Sequence, residues 1–115
     1  MEDCPAFQLG LSTYQLDCAL AYIDTHLDQD IKLQGIADEF GMSLYCFYQR
    51  FEQSMGVNPY QYLLQQRIEC ARQLLHQQEF SLTDVALQCG FDNQSQLTYH
   101  FSQQLGMTPR LYREE

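Results

Sequence analysis

Residues 32–62, KLQGIADEFGMSLYCFYQRFEQSMGVNPYQY, are written a second time as residues 81–112, SLTDVALQCGFDNQSQLTYHFSQQLGMTPRLY. Leu33, Ile36, Ala37 and Gly41 return as Leu82, Val85, Ala86 and Gly90. Phe47, Phe51, Gly56, Pro59 and Tyr62 return as Leu97, Phe101, Gly106, Pro109 and Tyr112. Between the two sets the offset lengthens by one residue, in the turn after the glycine, where an insertion costs least. Matching chemistry at matching positions marks an internal duplication. Each copy reads as a short helix, a glycine-containing turn and a second helix, which is a helix-turn-helix in sequence form.

Apolar steps of three and four residues extend the helical reading outward from this repeat, and no strand-like alternation interrupts it. Ser12 or Thr13 caps a first helix whose stripe is Leu16, Ala19, Leu20, Ile23 and Leu27. Gly41 stops a helix carrying Leu33, Ile36, Ala37 and Phe40; Ser43 caps the next, with Phe47, Phe51 and Met55 inward and Gly56 at its end. Asn58-Pro59 opens the longest helix, 59–77, a rod of roughly 28 Å at 1.5 Å per residue. In the second copy Ser81 caps a helix with Leu82, Val85, Ala86 and Cys89 inward. Asp92 or Asn93 caps one with Leu97, Phe101 and Leu105, and Thr108-Pro109 begins a last helix with Leu111 and Tyr112. The expected fold is all-α with seven helices. Two helix-turn-helix subdomains, 12–57 and 79–115, form homeodomain-like lobes joined by a linker helix over 58–78, after a flexible segment 1–11.

With 115 residues, 45% of them apolar, the chain can close one small domain or two very small lobes, not a multidomain enzyme. No segment has the length and apolarity of a membrane span, and no basic n-region marks a secretory leader. The balance of 15 acidic against 6 basic residues gives a net charge of −9. Most of it comes from Glu2, Asp3, Asp17, Asp24, Asp28 and Asp30, and no Lys or Arg precedes Lys32. That argues against a generic polyanion binder and places any anion-binding face in the later part of the chain. Cys4, Cys18, Cys46, Cys70 and Cys89 form no CxxC and no Cys/His cluster, so reduced thiols in a cytoplasmic protein, with no metal site, are expected. His26, His76 and His100 are scattered, and neither a Gly-rich phosphate loop nor a nucleophile elbow occurs. Enzymatic activity and a bound cofactor are therefore not expected.

The chemistry then rests on the second helix of each copy, 44–55 and 93–104. A single helix fits the major groove of B-form DNA, and Gln and Asn can pair bidentately with adenine there. Outside the core stripes lie Tyr45, Cys46, Tyr48 and Gln49 in the first helix, and Asn93, Gln94, Ser95, Gln96, Thr98 and Tyr99 in the second. Tyr45, Tyr48, Gln49, Gln94, Ser95, Gln96 and Tyr99 are the expected base readers. Lys32 and Arg110 are the expected phosphate contacts, Lys32 because it precedes a helix N-terminus whose backbone N–H groups favour an anion. A rod of roughly 28 Å between the reading helices suits successive major-groove segments roughly 34 Å apart, so a monomer could read an asymmetric site. The alternative is a helix-turn-helix scaffold with weakened DNA binding that acts as a protein-interaction module.

Ile36-Ala37 through Gly41, Arg67-Ile68-Glu69-Cys70-Ala71-Arg72-Gln73-Leu74-Leu75, Val85-Ala86 through Gly90-Phe91, and Gly106-Met107-Thr108-Pro109-Arg110-Leu111-Tyr112-Arg113 resemble the DNA-binding domain of the AraC/XylS family of bacterial transcription regulators. The resemblance covers about residues 12–113. It implies two helix-turn-helix subdomains joined by the 59–77 helix, double-stranded DNA and RNA polymerase as partners, and a cytoplasmic, nucleoid-associated place of action. It also implies that Arg67 ties the subdomains together rather than meeting DNA. The chain departs from the family where cations usually stand: the four slots hold Gln49, Glu52, Tyr99 and Ser102. Arg50 and His100 each come one residue later, about 100° around the helix, where the family tends to place a half-buried side chain.

Overall fold

The computed structural model describes residues 10–114 and, among them, seven helices and no strand. They are α1 (Thr13–Thr25), α2 (Leu33–Glu39), α3 (Leu44–Met55), α4 (Pro59–Leu75), α5 (Leu82–Gln88), α6 (Gln94–Leu105) and α7 (Pro109–Glu114). Most of the starts are fixed by capping side chains. Ser12 Oγ accepts from the Gln15 amide while the Gln15 side chain accepts from the Ser12 amide, a closed capping box. Asn58 and Gln61 make the same reciprocal pair before α4, and Ser81 and Asp84 make it before α5. Ser43 and Asn93 each accept one amide, from Cys46 and Gln96. α3 and α6 end on Gly56 and Gly106 in the left-handed conformation. α4 stops at Leu75 rather than at 77, which makes its 17 residues a rod of about 25 Å. Of the segment expected to be flexible, residues 1–9 lie outside the described residues. Its end is anchored: Leu11 is buried and its amide donates to Ser54 Oγ at 2.9 Å.

Two compact units divide the chain, one formed by Met1–His26 with Ile31–Leu63, the other by Leu27–Asp30 with Leu64–Glu115. In the first, Phe47 and Phe51 of α3 are fully buried with Ala19 and Ile23 of α1, Ala37 of α2 and Pro59 of α4. Ring centroids run Phe40–Phe47 at 6.1 Å, Phe47–Phe51 at 5.7 Å and Phe51–Tyr62 at 5.8 Å, tilted or edge-on, each pair adding roughly 0.5–1.5 kcal/mol beyond area burial. Tyr62 is the polar end of this row. Its hydroxyl donates to Asp24 at 3.1 Å, and burial followed by the Asp24 charge pushes it up to about 12.

The second unit closes on Ile68, Ala71, Leu75, Val85, Ala86, Cys89, Phe91, Leu97 and Phe101. Arg67 of α4 donates through Nε to the Leu27 carbonyl at 2.9 Å and through Nη2 to the Gln29 carbonyl at 2.7 Å. Arg113 of α7 repeats the device on the Leu75 and Gln77 carbonyls, at 3.1 and 3.3 Å. In both places one guanidinium holds two carbonyls, two residues apart, where the chain leaves the helix preceding a helix-turn-helix: Leu27 and Gln29 follow the end of α1, and Leu75 and Gln77 close and follow α4. Gly90 lies against the first of these clamps. A Cβ there would stand 2.1 Å from the Leu27 carbonyl oxygen and 2.7 Å from Arg67 Nε, and its φ is +95°. Gly41, its counterpart in the first copy, has φ +69° and no atom within 4 Å of such a Cβ.

Leu105, at the last turn of α6, and Leu111, in the six-residue α7, are 39% and 52% exposed. Two expectations are corrected. Cys46 was placed outward, yet it is buried on the flank of α3 next to Phe47. It is also disulfide-bonded, so not every thiol is reduced; Cys18, Cys70 and Cys89 are free.

Candidate nucleic-acid interface

α3 and α6 are the second helices of the two helix-turn-helix motifs, and their first turns are left open by the core. On α3, Tyr45 is 67% exposed, and Tyr48 and Gln49, three and four residues on, are half-buried on the same side. Burial and then the neighbouring Tyr60 raise the Tyr48 phenol, which keeps it protonated and able to donate. On α6, Tyr99 is 61% exposed, Ser95 and Gln96 are exposed and Gln94 is half-buried. Gln94, Ser95, Thr98 and Tyr99 line an open depression of about 390 Å³. Thr83 of α5 donates to Gln94 Oε1 at 3.4 Å, a long contact joining the first helix of the motif to the exposed end of the second. The expected base readers of α3 share one face; on α6 Gln94, Ser95 and Tyr99 meet at the depression, while Gln96, two residues from Gln94 and so about 160° around the helix, is exposed outside it.

Leu44 belongs to this surface and was not among the expected residues. It opens α3, is exposed, and holds the position that Gln94 holds in the repeat. Its apolar type hid it; the register of the duplication is the signal that could have found it. An apolar side chain there suits a thymine methyl group rather than a hydrogen-bonding edge.

The cations are mostly committed within the fold. Arg67 and Arg113 hold helix-end carbonyls. Arg72 pairs with Glu69 and lies 5.8 Å above the Tyr112 ring. Arg50 is half-buried with its Nε 3.3 Å from Cys46 Sγ. Lys32 and Arg110 are exposed, at the N-cap of α2 and in the first turn of α7. Arg110 borders an open depression of about 450 Å³ with Gln78, Leu82, Arg113 and Glu114.

His100 does not replace a missing groove cation. It stacks on Phe91 at 5.7 Å, and burial followed by the Arg67 charge lowers its pKa. The folded state thus takes up this proton less readily than the unfolded state. Stability from His100 is complete above its unfolded value of about 6.5 and declines as the pH falls from there through the lowered folded value. Thermal melts between neutral and mildly acidic pH are expected to show this loss, and His100→Gln should flatten it; an unchanged pH profile in the variant would count against the assignment.

A profile described as a helix-turn-helix domain matches residues 36–115. The HTH-type transcriptional activator RhaS of Escherichia coli O1:K1 / APEC is 31% identical over 103 residues, covering 90% of this chain and 37% of that protein. The crystal structure of the DNA-binding domain of AdpA, a global transcriptional factor, in complex with a target DNA is similar, with a TM-score of 0.80, 34% identity, and coverage of 87% of this chain and 90% of that one. So is an AraC-type transcriptional regulator from Chromobacterium violaceum, with a TM-score of 0.78, 28% identity, and coverage of 88% and 90%. The chain belongs to the AraC family. Family membership accounts for the duplicated helix-turn-helix. This AraC-family chain spans 37% of the length of the activator it matches. None of its described helices is long and apolar enough to cross a membrane, and no group of His, Cys, Asp and Glu among the described residues could hold a metal ion.

Proposed function

We propose that this AraC-family chain binds double-stranded DNA in a sequence-specific manner and so regulates transcription, with α3 and α6 each entering a major groove. The observation that carries the reading is the pair of exposed, polar-aromatic faces on the second helices of two helix-turn-helix motifs, in a chain similar to a domain solved on its target DNA. Tyr45, Tyr48, Gln49, Gln94, Ser95, Gln96 and Tyr99 are the proposed base-facing residues, and Lys32 and Arg110 the proposed phosphate contacts. Binding as a monomer to an asymmetric site, action in the cytoplasm at the nucleoid, and contact with RNA polymerase at the promoter belong to the same reading. The presence of both motifs in one chain and the activator relative support it.

The roles separate experimentally. Gln94→Ala should relax preference at particular base pairs, by about 1–3 kcal/mol each, and leave affinity for other sequences unchanged. Arg110→Ala should weaken all duplexes alike and reduce the salt slope by about 1. With so few exposed cations, log K should fall with log salt at a slope no steeper than about −3. Identical behaviour of the two variants across a library of sites would contradict the assignment.

Two observations favour the scaffold reading as the rival: the four family cation slots hold Gln49, Glu52, Tyr99 and Ser102, and the net charge is −9. Polarisation titration with random duplex at low salt decides between them. Binding in the non-specific range of about 10⁻⁴–10⁻⁶ M supports DNA recognition, and complete absence of binding supports the scaffold.

A further inference from the structure

α1 and α2 enclose an open groove of about 520 Å³ within the first unit. Tyr14, Cys18 and Tyr22 form one wall, each a helical turn from the next; Gly35, Glu39 and Phe40 form the other. Tyr14 is 75% exposed although it belongs to the wall of an apolar cleft. Its hydroxyl lies against the Cys18 thiol and within the field of Glu39.

Gly35 is the informative residue. It sits inside a seven-residue helix, its φ is not in the left-handed range, and a Cβ there would meet nothing within 4 Å. Neither backbone nor packing requires a glycine, which weakens a helix interior. The duplicated copy has Asp84 at the same place, and that carboxylate accepts from the Ser81 amide to close a capping box. α2 has no such cap: Lys32 makes no side-chain capping bond. The first copy thus gives up both cap and helix propensity at the position that keeps the groove open, the pattern expected where function is bought with stability.

Charge indicates what fills it. Glu39 lines the groove, exposed Asp17 stands one turn from Tyr14, and within α1 and α2 there is no Lys or Arg, the cation Lys32 standing at the α2 N-cap outside the groove lining. We propose that the α1–α2 groove is a docking site for a basic amphipathic segment of a partner protein. An apolar side chain of that segment seats over Gly35 between Tyr14 and Phe40. Its flanking Lys or Arg residues meet Asp17 and Glu39 and the exposed face of Tyr14. The site is separate from the helices proposed to read DNA, so each can fail without the other.

The test uses the full chain, labelled with ¹⁵N, and two short synthetic helical peptides that share a leucine stripe and differ in carrying lysines or glutamates on its flanks. The lysine peptide should saturably shift the amides of Tyr14, Cys18, Gly35 and Glu39, with affinity about tenfold or more above the glutamate peptide and declining with salt. Gly35→Gln should raise the melting temperature, because it supplies a better helix former, and weaken the peptide by about tenfold by filling the groove. Glu39→Lys should weaken it with the groove left open. Shifts spread over every acidic surface, equal binding of both peptides, no saturable shift, or unaltered binding by a folded Gly35→Gln would each overturn the proposal.

Discussion

Gly90→Ala is expected to be among the most damaging single substitutions in this chain, costing roughly 2–5 kcal/mol. About 1–2 kcal/mol of that comes from holding an L-residue in the left-handed region, and about 1–3 kcal/mol from forcing a methyl group into occupied space. The space is occupied by backbone: the Leu27 carbonyl oxygen would lie 2.1 Å from the new Cβ, and a carbonyl cannot swing aside as a side chain can. Gly41→Ala provides the control. It needs the same backbone conformation at φ +69° but meets nothing within 4 Å, so only the conformational cost of about 1–2 kcal/mol remains. Urea denaturation of both variants measures the difference. Equal losses would mean that Gly90 is retained for its turn alone and that the close approach to Leu27 carries no energy.

Arg67→Ala is the second large effect. The guanidinium donates to the carbonyls of Leu27 and Gln29 in the turn after α1, and its removal takes a charged donor from both acceptors. Charged hydrogen bonds contribute about 1.5–3 kcal/mol each where they are shielded from water. Because Gln29 is exposed, water replaces part of the loss, and an overall cost of about 2–4 kcal/mol is expected. Arg67→Lys should recover only a part, since an ammonium cannot span both carbonyls in the fork geometry. Arg67 and Gly90 touch the same carbonyl, so their effects should not add. In the Arg67→Ala background, Gly90→Ala loses its clash with Nε but keeps the one with Leu27 O, and its cost should shrink without vanishing. Full recovery by lysine, or strict additivity, would contradict the clamp.

Much of this architecture was legible in the residues. Ser12, Ser43, Asn58, Ser81 and Asn93 set helix starts because a short polar side chain can reach the amide three residues on, a purely local geometry. Phe47, Phe51, Leu97 and Phe101 were readable as core because three- and four-residue steps put them on one face. What escaped depends on contacts between distant segments. Nothing local distinguishes Gly90 from Gly41; the carbonyl that separates them belongs to Leu27. Arg113 reads like Arg110, as a cation flanking the last helix, until the Leu75 and Gln77 carbonyls are seen to hold it. Cys46, expected outward, is buried, and Leu44, absent from the expected face, is exposed, for a related reason: on a short helix a residue's exposure is decided by which flank its neighbours cover, and periodicity resolves that only to about one position. Of the proposed reading residues, Tyr45, Ser95, Gln96 and Tyr99 were legible as open positions, whereas the half-burial of Tyr48, Gln49 and Gln94 was not.

The central claim is that α3 and α6 are two separate readers of base sequence carried by one chain. Selection of bound duplexes from a random pool, repeated with an α3 variant (Tyr45→Ala, Gln49→Ala) and an α6 variant (Gln94→Ala, Tyr99→Ala), tests it most directly. The account predicts two blocks of base preference in the selected DNA, one erased by the first variant and the other by the second. A single block, or two blocks lost together in either folded variant, would contradict it.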